Sequence, residues 1–250
     1  MFIFGIYLQK MKNTTFAILV LFSVALVSCK EEKPKPKVIY EEPVAKQETK
    51  GKDSAQIKVS DLPVLMPGTK YLIHPIGDIR IYDETVRSYG SSRTNNISYA
   101  ISNYNRFEIT GYFENLKFQH VDSLSFYKLT EDKIQIQTVT YLTTIAEKLK
   151  KQILVYTLVD SDTNQDKKID ANDIRSLYIS DISGNNFKKL SAPMEELIDW
   201  NIIESQNRVY FRTIEDINKN GAFDKNDLVH YYYVDLLSDD WETTSYEPVD

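Results

Sequence analysis

Leu154-Val-Tyr-Thr-Leu-Val-Asp-Ser-Asp-Thr-Asn-Gln-Asp-Lys-Lys-Ile-Asp-Ala-Asn-Asp173, continuing into Ser176-Leu-Tyr-Ile-Ser-Asp181, occurs in this chain a second time. The second copy is Arg208-Val-Tyr-Phe-Arg-Thr-Ile-Glu-Asp-Ile-Asn-Lys-Asn-Gly-Ala-Phe-Asp-Lys-Asn-Asp227, continuing into His230-Tyr-Tyr-Tyr-Val-Asp235. At a constant offset of 54, the pairs Val155/Val209, Tyr156/Tyr210, Asp162/Asp216, Asn164/Asn218, Asp170/Asp224, Asp173/Asp227, Tyr178/Tyr232 and Asp181/Asp235 are identical. Each copy is a β-branched and aromatic run, an acidic loop and a second such run. That pattern predicts paired strands joined by a loop that carries chemistry.

Numbered from Asp162 and Asp216, each loop has Asp at position 1 and Asn164 or Asn218 at position 3. Position 5 is Asp166 or Asn220, position 7 Lys168 or Ala222, position 9 Asp170 or Asp224, and position 12 Asp173 or Asp227. A hard cation such as calcium takes six to eight oxygens at about 2.3–2.6 Å, and alternate residues of a tight loop can supply them. Position 7 ligates through its backbone carbonyl, so Lys168 and Ala222 are compatible. The apolar residue at position 8, Ile169 or Phe223, points away from the ion and anchors the loop.

These loops resemble EF-hand-type loops, and most closely dockerin repeats, which favour Asn at position 3 and Asp at position 12. Gly221 stands at position 6, where the sharp turn wants a positive φ. The first loop departs from the pattern with Lys167 there, which predicts strain. It has four carboxylates (Asp162, Asp166, Asp170, Asp173) against three in the second (Asp216, Asp224, Asp227). Charge favours the first site and geometry the second. The competing reading is a pair of solvated hairpin loops, and the in-register duplication favours metal. Strand signals on both sides predict that calcium staples hairpins rather than opening a helix pair.

The N-terminus supplies an address. Lys10 and Lys12 precede the apolar run Phe16-Ala-Ile-Leu-Val-Leu-Phe-Ser-Val-Ala-Leu-Val27, too short to span about 30 Å of hydrocarbon but the length of a signal-peptide core. Its end, Leu26-Val-Ser-Cys29, resembles the bacterial lipobox. The resemblance implies removal of residues 1–28 and acylation of Cys29, the one cysteine of the chain, giving a membrane partner through the lipid anchor. Lys30-Glu-Glu32 resembles the surface-export signal of Bacteroidetes-type lipoproteins. An outer-membrane lipoprotein displayed at the cell surface is therefore expected. Residues 29–60, rich in Lys, Glu, Pro, Gln and Thr, read as the acylated cysteine and a disordered tether.

Residues 61–250 remain for one β-repeat domain. Ile134-Gln-Ile-Gln-Thr-Val-Thr-Tyr-Leu142 alternates as a half-buried strand does, and Ile198–Ile203 with Arg208–Thr213 reads as a hairpin. Thr144–Lys151 is either a short helix or a hairpin insertion. Phe118–Thr130 reads as a weaker upstream copy of Leu177–Ser191, with a hairpin two residues shorter. Four strands per unit ending in Lys-Leu-Ser or Lys-Leu-Thr resemble TolB-like β-propeller repeats. The expected fold class is all-β: antiparallel four-stranded repeats, a short or irregular propeller, with calcium loops between strands. A generic antiparallel meander or sandwich is the alternative.

The formal charge of −6 becomes −8 once residues 1–28, with their two lysines, are removed, so nucleic acid is a poor partner. His74, His120 and His230 are widely spaced and read as ordinary strand residues rather than zinc ligands. No nucleophile elbow or phosphate-binding glycine loop is present. Tyr231-Tyr-Tyr233 and Trp241 offer solvent-facing rings suited to a glycan or protein ligand. The functional expectation is a lipid-anchored, calcium-binding β-repeat module of the cell envelope with a non-catalytic binding or scaffold role. The alternative is a surface enzyme hydrolysing glycans or peptides with the loop carboxylates.

Overall fold

The structure is a computed structural model, and it describes residues 36–40, 57–82 and 96–249, with no side-chain description for 80–82 and 96–98. The expected signal peptide, Cys29 and most of the expected tether lie outside the described residues. These residues belong to the compact unit Pro36–Asp250. In chain order the strands begin with β1 (Lys58–Ser60), β2 (Val64–Leu65), β3 (Tyr71–Asp78), β4 (Arg80–Tyr82), β5 (Asn96–Ser98), β6 (Ser102–Asn105) and β7 (Glu108–Phe113). There follow β8 (Asn115–His120), β9 (Tyr127–Lys128), β10 (Gln135–Tyr141), helix α1 (Thr143–Leu149), β11 (Ile153–Val159), β12 (Arg175–Asp181) and β13 (Lys188–Lys189). The last four are β14 (Glu195–Ile203), β15 (Arg208–Glu215), β16 (Leu228–Asp235) and β17 (Thr243–Ser245). Every strand pairing among them is antiparallel.

Three four-stranded meanders run through the chain: β2-β3-β8-β9, β10-β11-β12-β13 and β14-β15-β16-β17. The acidic loops connect β11 to β12 and β15 to β16, the second and third strands of their units. The corresponding connection of the first unit is the long insertion that carries β4 to β7. There β4 and β5 pair with each other, while β6 and β7 extend the second sheet beyond β10 to six strands. The weaker upstream copy is thus a genuine structural counterpart. Lys117 and Phe118 pair with Lys128 and Tyr127 as Tyr178 and Ile179 pair with Lys189 and Lys188. Leu129 N donates to Leu116 O (3.0 Å) as Leu190 N donates to Leu177 O (2.8 Å). Equal spacing in these two bonds corrects one expectation: the upstream hairpin is the same length, and its counterpart register begins at Leu116.

The sheets stack through two cores. Met66, Ile73, Phe113, Phe118, Ile136 and Tyr156 lie in the first, between the first and second sheets. Ile153, Val155, Leu177, Val209, Phe211 and Trp241 lie in the second, between the second and third. Strand β11 is covered on both faces, with Leu154, Tyr156 and Leu158 in one core and Ile153 and Val155 in the other. That is why Ile-Leu-Val-Tyr-Thr-Leu-Val is apolar almost throughout rather than alternating. Burying the first core's aromatic and branched side chains contributes about 1.5–3 kcal/mol per residue before entropy is subtracted. Trp241, expected at the surface, is only 3% exposed, because the turn after β16 folds its ring into the second core.

The short helical option at Thr144–Lys151 is realised as α1, buried through Ile145 and ended by Lys150 at φ 60°, whose N–H reaches Ala146 O. No helix among the described residues is long and apolar enough to cross a membrane. The expected tether is ordered in part. Pro36–Tyr40 packs on the domain with Val38 2% exposed, and β1 starts at Lys58, inside the segment read as tether. Val38, Ile39 and Tyr40 supply the apolar surface that composition averaged over residues 29–60 conceals.

Candidate metal centres

Backbone N–H groups lock the acidic loops into one shared conformation. In the first, Asp166 N donates to Asp162 Oδ1 (3.1 Å) and Asn164 Oδ1 (2.9 Å), and Lys167 N to Asp162 Oδ2 (2.8 Å). In the second, Asn220 N donates to Asp216 Oδ1 (3.1 Å) and Asn218 Oδ1 (2.9 Å), and Gly221 N to Asp216 Oδ2 (2.7 Å). Position 7 closes on position 5 in both, through Lys168 N to Asp166 Oδ1 and Ala222 N to Asn220 Oδ1. Position 9 closes on position 12, through Asp170 N to Asp173 Oδ2 and Asp224 N to Asp227 Oδ2. Each bond turns a side-chain oxygen into the loop. The donor set at positions 1, 3, 5 and 12 is thereby gathered by the backbone itself, and the position 9 carboxylates accept from Asn172 N and Asn226 N.

Positive φ recurs at positions 4 and 6: Gln165 (58°) and Lys167 (71°) in one loop, Lys219 (56°) and Gly221 (80°) in the other. Lys167 therefore adopts the turn that the dockerin-like pattern assigns to glycine, at a cost of about 1–2 kcal/mol for an L-residue. Asp173 and Asp216 are the buried acids, at 0% and 3% exposure. Asp173 Oδ1 also accepts from Thr163 N (2.8 Å) and Asn164 N (3.1 Å). Asp166, Asn218, Asn220 and Asp224 face solvent, while Ile169 and Phe223 are half-buried. All twelve positions read from the sequence as ligands thus fall in two loops of matching geometry, and the oxygen-only donor set suits a hard cation.

The loops meet at the N-terminal end of β14. Lys37 N donates to Gly221 O (2.7 Å) and Ile39 N to Thr163 O (2.9 Å), so the short segment 36–40 touches both. Glu196 is buried and receives Arg175 N (2.8 Å), Arg175 Nε (3.0 Å) and Lys37 Nζ (2.8 Å). Burial, then the nearby Asp216, Asp227 and Glu215 carboxylates, push the Tyr40 phenol up to about 12.

Glu195 points to the opposite face of β14, where a second cluster stands. Glu195 pairs with Glu215 across β14 and β15, and His230 on β16 pairs with Thr213, so all three share one sheet face. His230 Nε2 lies 2.9 Å from Glu215 Oε2 and 3.9 Å from Glu195 Oε1. One ligand atom from each lies within 4.8 Å of the others, an arrangement that can hold a metal ion. Tyr232 OH reaches both Glu195 oxygens at 3.2 Å, and Thr213 Oγ1 donates to Glu195 Oε2. Burial, then Glu195, push the Tyr232 phenol up to about 12, so it stays a donor. His230 lies on a strand as expected, and the register of three strands brings to it two carboxylates that its sequence context does not indicate. His74 instead meets Gln119 (3.2 Å), and His120 lies 3.7 Å from Asp122.

On the outer face of the third sheet, Tyr246 contacts Tyr210, Tyr231 and Tyr233 at ring-centroid separations of 5.5, 5.9 and 6.2 Å. Arg208 caps Tyr233 at 4.2 Å. Tyr232 alternates to the inner face. Comparison with protein-family models, with curated proteins and with solved structures finds no match to this chain.

Proposed function

We propose that this chain is a lipid-anchored, calcium-binding β-repeat module of the bacterial cell envelope that engages a glycan or protein partner and carries out no catalysis itself. The observation that carries this reading is the shared hydrogen-bond scaffold of the two acidic loops, which aims equivalent oxygens inward at both. Calcium held there ties β11 to β12 and β15 to β16. It stabilises the fold by RT ln(1 + [Ca]/Kd), about 2.7 kcal/mol when calcium is a hundredfold above Kd. The sequence Leu26-Val-Ser-Cys29 supports the anchor, and the tyrosine group around Tyr246 supplies a rigid aromatic surface for the partner.

The test is thermal melting of the protein in millimolar calcium, in magnesium and in excess chelator. A melting temperature several degrees higher in calcium alone is expected, and Asp216→Ala removes the second loop's share of that increment. Equal melting in all three solutions overturns the calcium reading and returns the loop carboxylates to the competing hydrolase.

A further inference from the structure

Glu195, Glu215 and His230 differ in kind from the acidic loops. The loops offer oxygen alone, whereas this cluster adds an imidazole nitrogen to two carboxylates. Imidazole is a favoured ligand of zinc-class dications and has no place in the oxygen cages that calcium prefers. The three side chains come from adjacent paired strands, so their backbone separations are fixed by the ladder rather than by a loop. Glu195 is held from behind by Tyr232 OH and Thr213 Oγ1, the outer support that orients a metal-binding carboxylate. Its side chain is 10% exposed, against 26% for His230 and 48% for Glu215. The cluster therefore has a buried floor and an open rim.

The geometry points to a second metal site, built by Glu195, Glu215 and His230, that takes one zinc-class transition-metal dication. The ligand atoms lie within 4.8 Å of one another, and Glu215 and His230, the two more exposed members, are the side chains freer to adjust toward bonds of about 2.0–2.2 Å. The site shares no ligand with the calcium loops, although Glu215 adjoins Asp216 in the chain.

The experiment uses the full chain, stripped with chelator and dialysed against zinc in the presence of millimolar calcium. One equivalent of zinc is expected, and cobalt in its place gives the visible absorption of a low-symmetry, four- or five-coordinate ion. His230→Gln and Glu215→Gln each lower zinc affinity at least tenfold, while Glu147→Gln, on the exposed side of α1, leaves zinc stoichiometry unchanged. Glu215 is at the rim, so Glu215→Gln folds normally and keeps the test decisive if His230→Gln does not. Zinc binding that survives both substitutions, or no zinc equivalent in the parent chain, overturns the proposal. Calcium-dependent melting can fail without touching this outcome.

Discussion

Gly221 O accepts a hydrogen bond from Lys37 N at 2.7 Å, joining the second acidic loop to a segment at the opposite end of the sequence. Thr163 Oγ1 in the first loop donates to Lys37 O at 2.8 Å. Lys37 is thus bonded through its N–H to one loop and through its carbonyl to the other. A short strap holds two loops that the sheets place side by side.

Gly221→Ala tests the strap. Gly221 sits at φ +80°, and a Cβ there would lie 2.5 Å from Val38 O and 2.7 Å from Pro36 Cβ. Left-handed backbone costs an L-residue about 1–2 kcal/mol, and the clash adds to it by expelling the strap. The expected outcome is a lower melting temperature together with faster proteolytic cleavage near residues 36–40. Unchanged cleavage with lowered melting would mean that the turn alone, not the strap, was damaged.

Asp216 and Asp166 separate structural from metal-binding roles. Asp216 is buried and accepts from Asn220 N and Gly221 N; Asn220 N keeps Asn218 Oδ1, so Asp216→Ala strands the buried Gly221 N and costs about 1–3 kcal/mol even in chelator. Asp166 is exposed, and an asparagine oxygen can still accept from Lys168 N, as Asn220 Oδ1 does from Ala222 N. Asp166→Asn should therefore leave the chelator melting point within about 0.5 kcal/mol of the parent while weakening calcium binding at the first loop. Calorimetric titration checks the second half of that statement.

The acidic loops were legible because their information is local: twelve consecutive residues, repeated at a fixed offset, specify both the side-chain acceptors and the turn. Strand order was legible for the same reason in β14–β15, where a short turn forces antiparallel neighbours. The Glu195, Glu215 and His230 cluster was not, because it depends on which residues of three strands stand opposite one another, and the bulge between Leu197 and Asp199 shifts that register. Nor could Lys37 be placed, since its partners lie far off in sequence: the Gly221 carbonyl, which no side-chain pattern advertises, and the Thr163 hydroxyl, which bonds the Lys37 backbone rather than its side chain. The β4–β7 insertion was hidden likewise: it replaces a loop with a separate β4–β5 pair and with β6 and β7, which join another unit's sheet.

Asp160 sets an acid limit to stability. Burial opposes its ionisation, but Lys189 Nζ (2.6 Å) and Tyr178 OH (2.7 Å) donate to Oδ2 and hold the carboxyl below its ordinary value. A folded-state value below the unfolded one, about 3.9, means that the contribution is fully present above that pH and is lost as pH falls through the folded value. Asp160→Asn should cost about 2 kcal/mol at pH 7 and progressively less below pH 4, where the parent loses the same interaction. Urea unfolding at pH 7 and pH 3 measures both; a constant difference between the two proteins refutes the assignment.

Tyr156 and Ser180 make an asymmetric pair. Ser180 Oγ donates to Asp181 O (2.8 Å), which leaves its lone pairs to accept from Tyr156 OH at 2.6 Å. Tyr156 is wholly buried among the first core's side chains, and burial pushes its phenol far up, so it is a donor at every working pH. Tyr156→Phe removes the donor and leaves Ser180 with its own hydrogen still placed, a loss of about 1 kcal/mol. Ser180→Ala instead strands a buried phenol with no acceptor in its place, and costs about 1–3 kcal/mol. Adding Tyr156→Phe to Ser180→Ala removes the stranded group, so the double variant should be no less stable than Ser180→Ala alone. Chemical denaturation of the four proteins completes the cycle, and additive losses would show that the two hydroxyls do not interact.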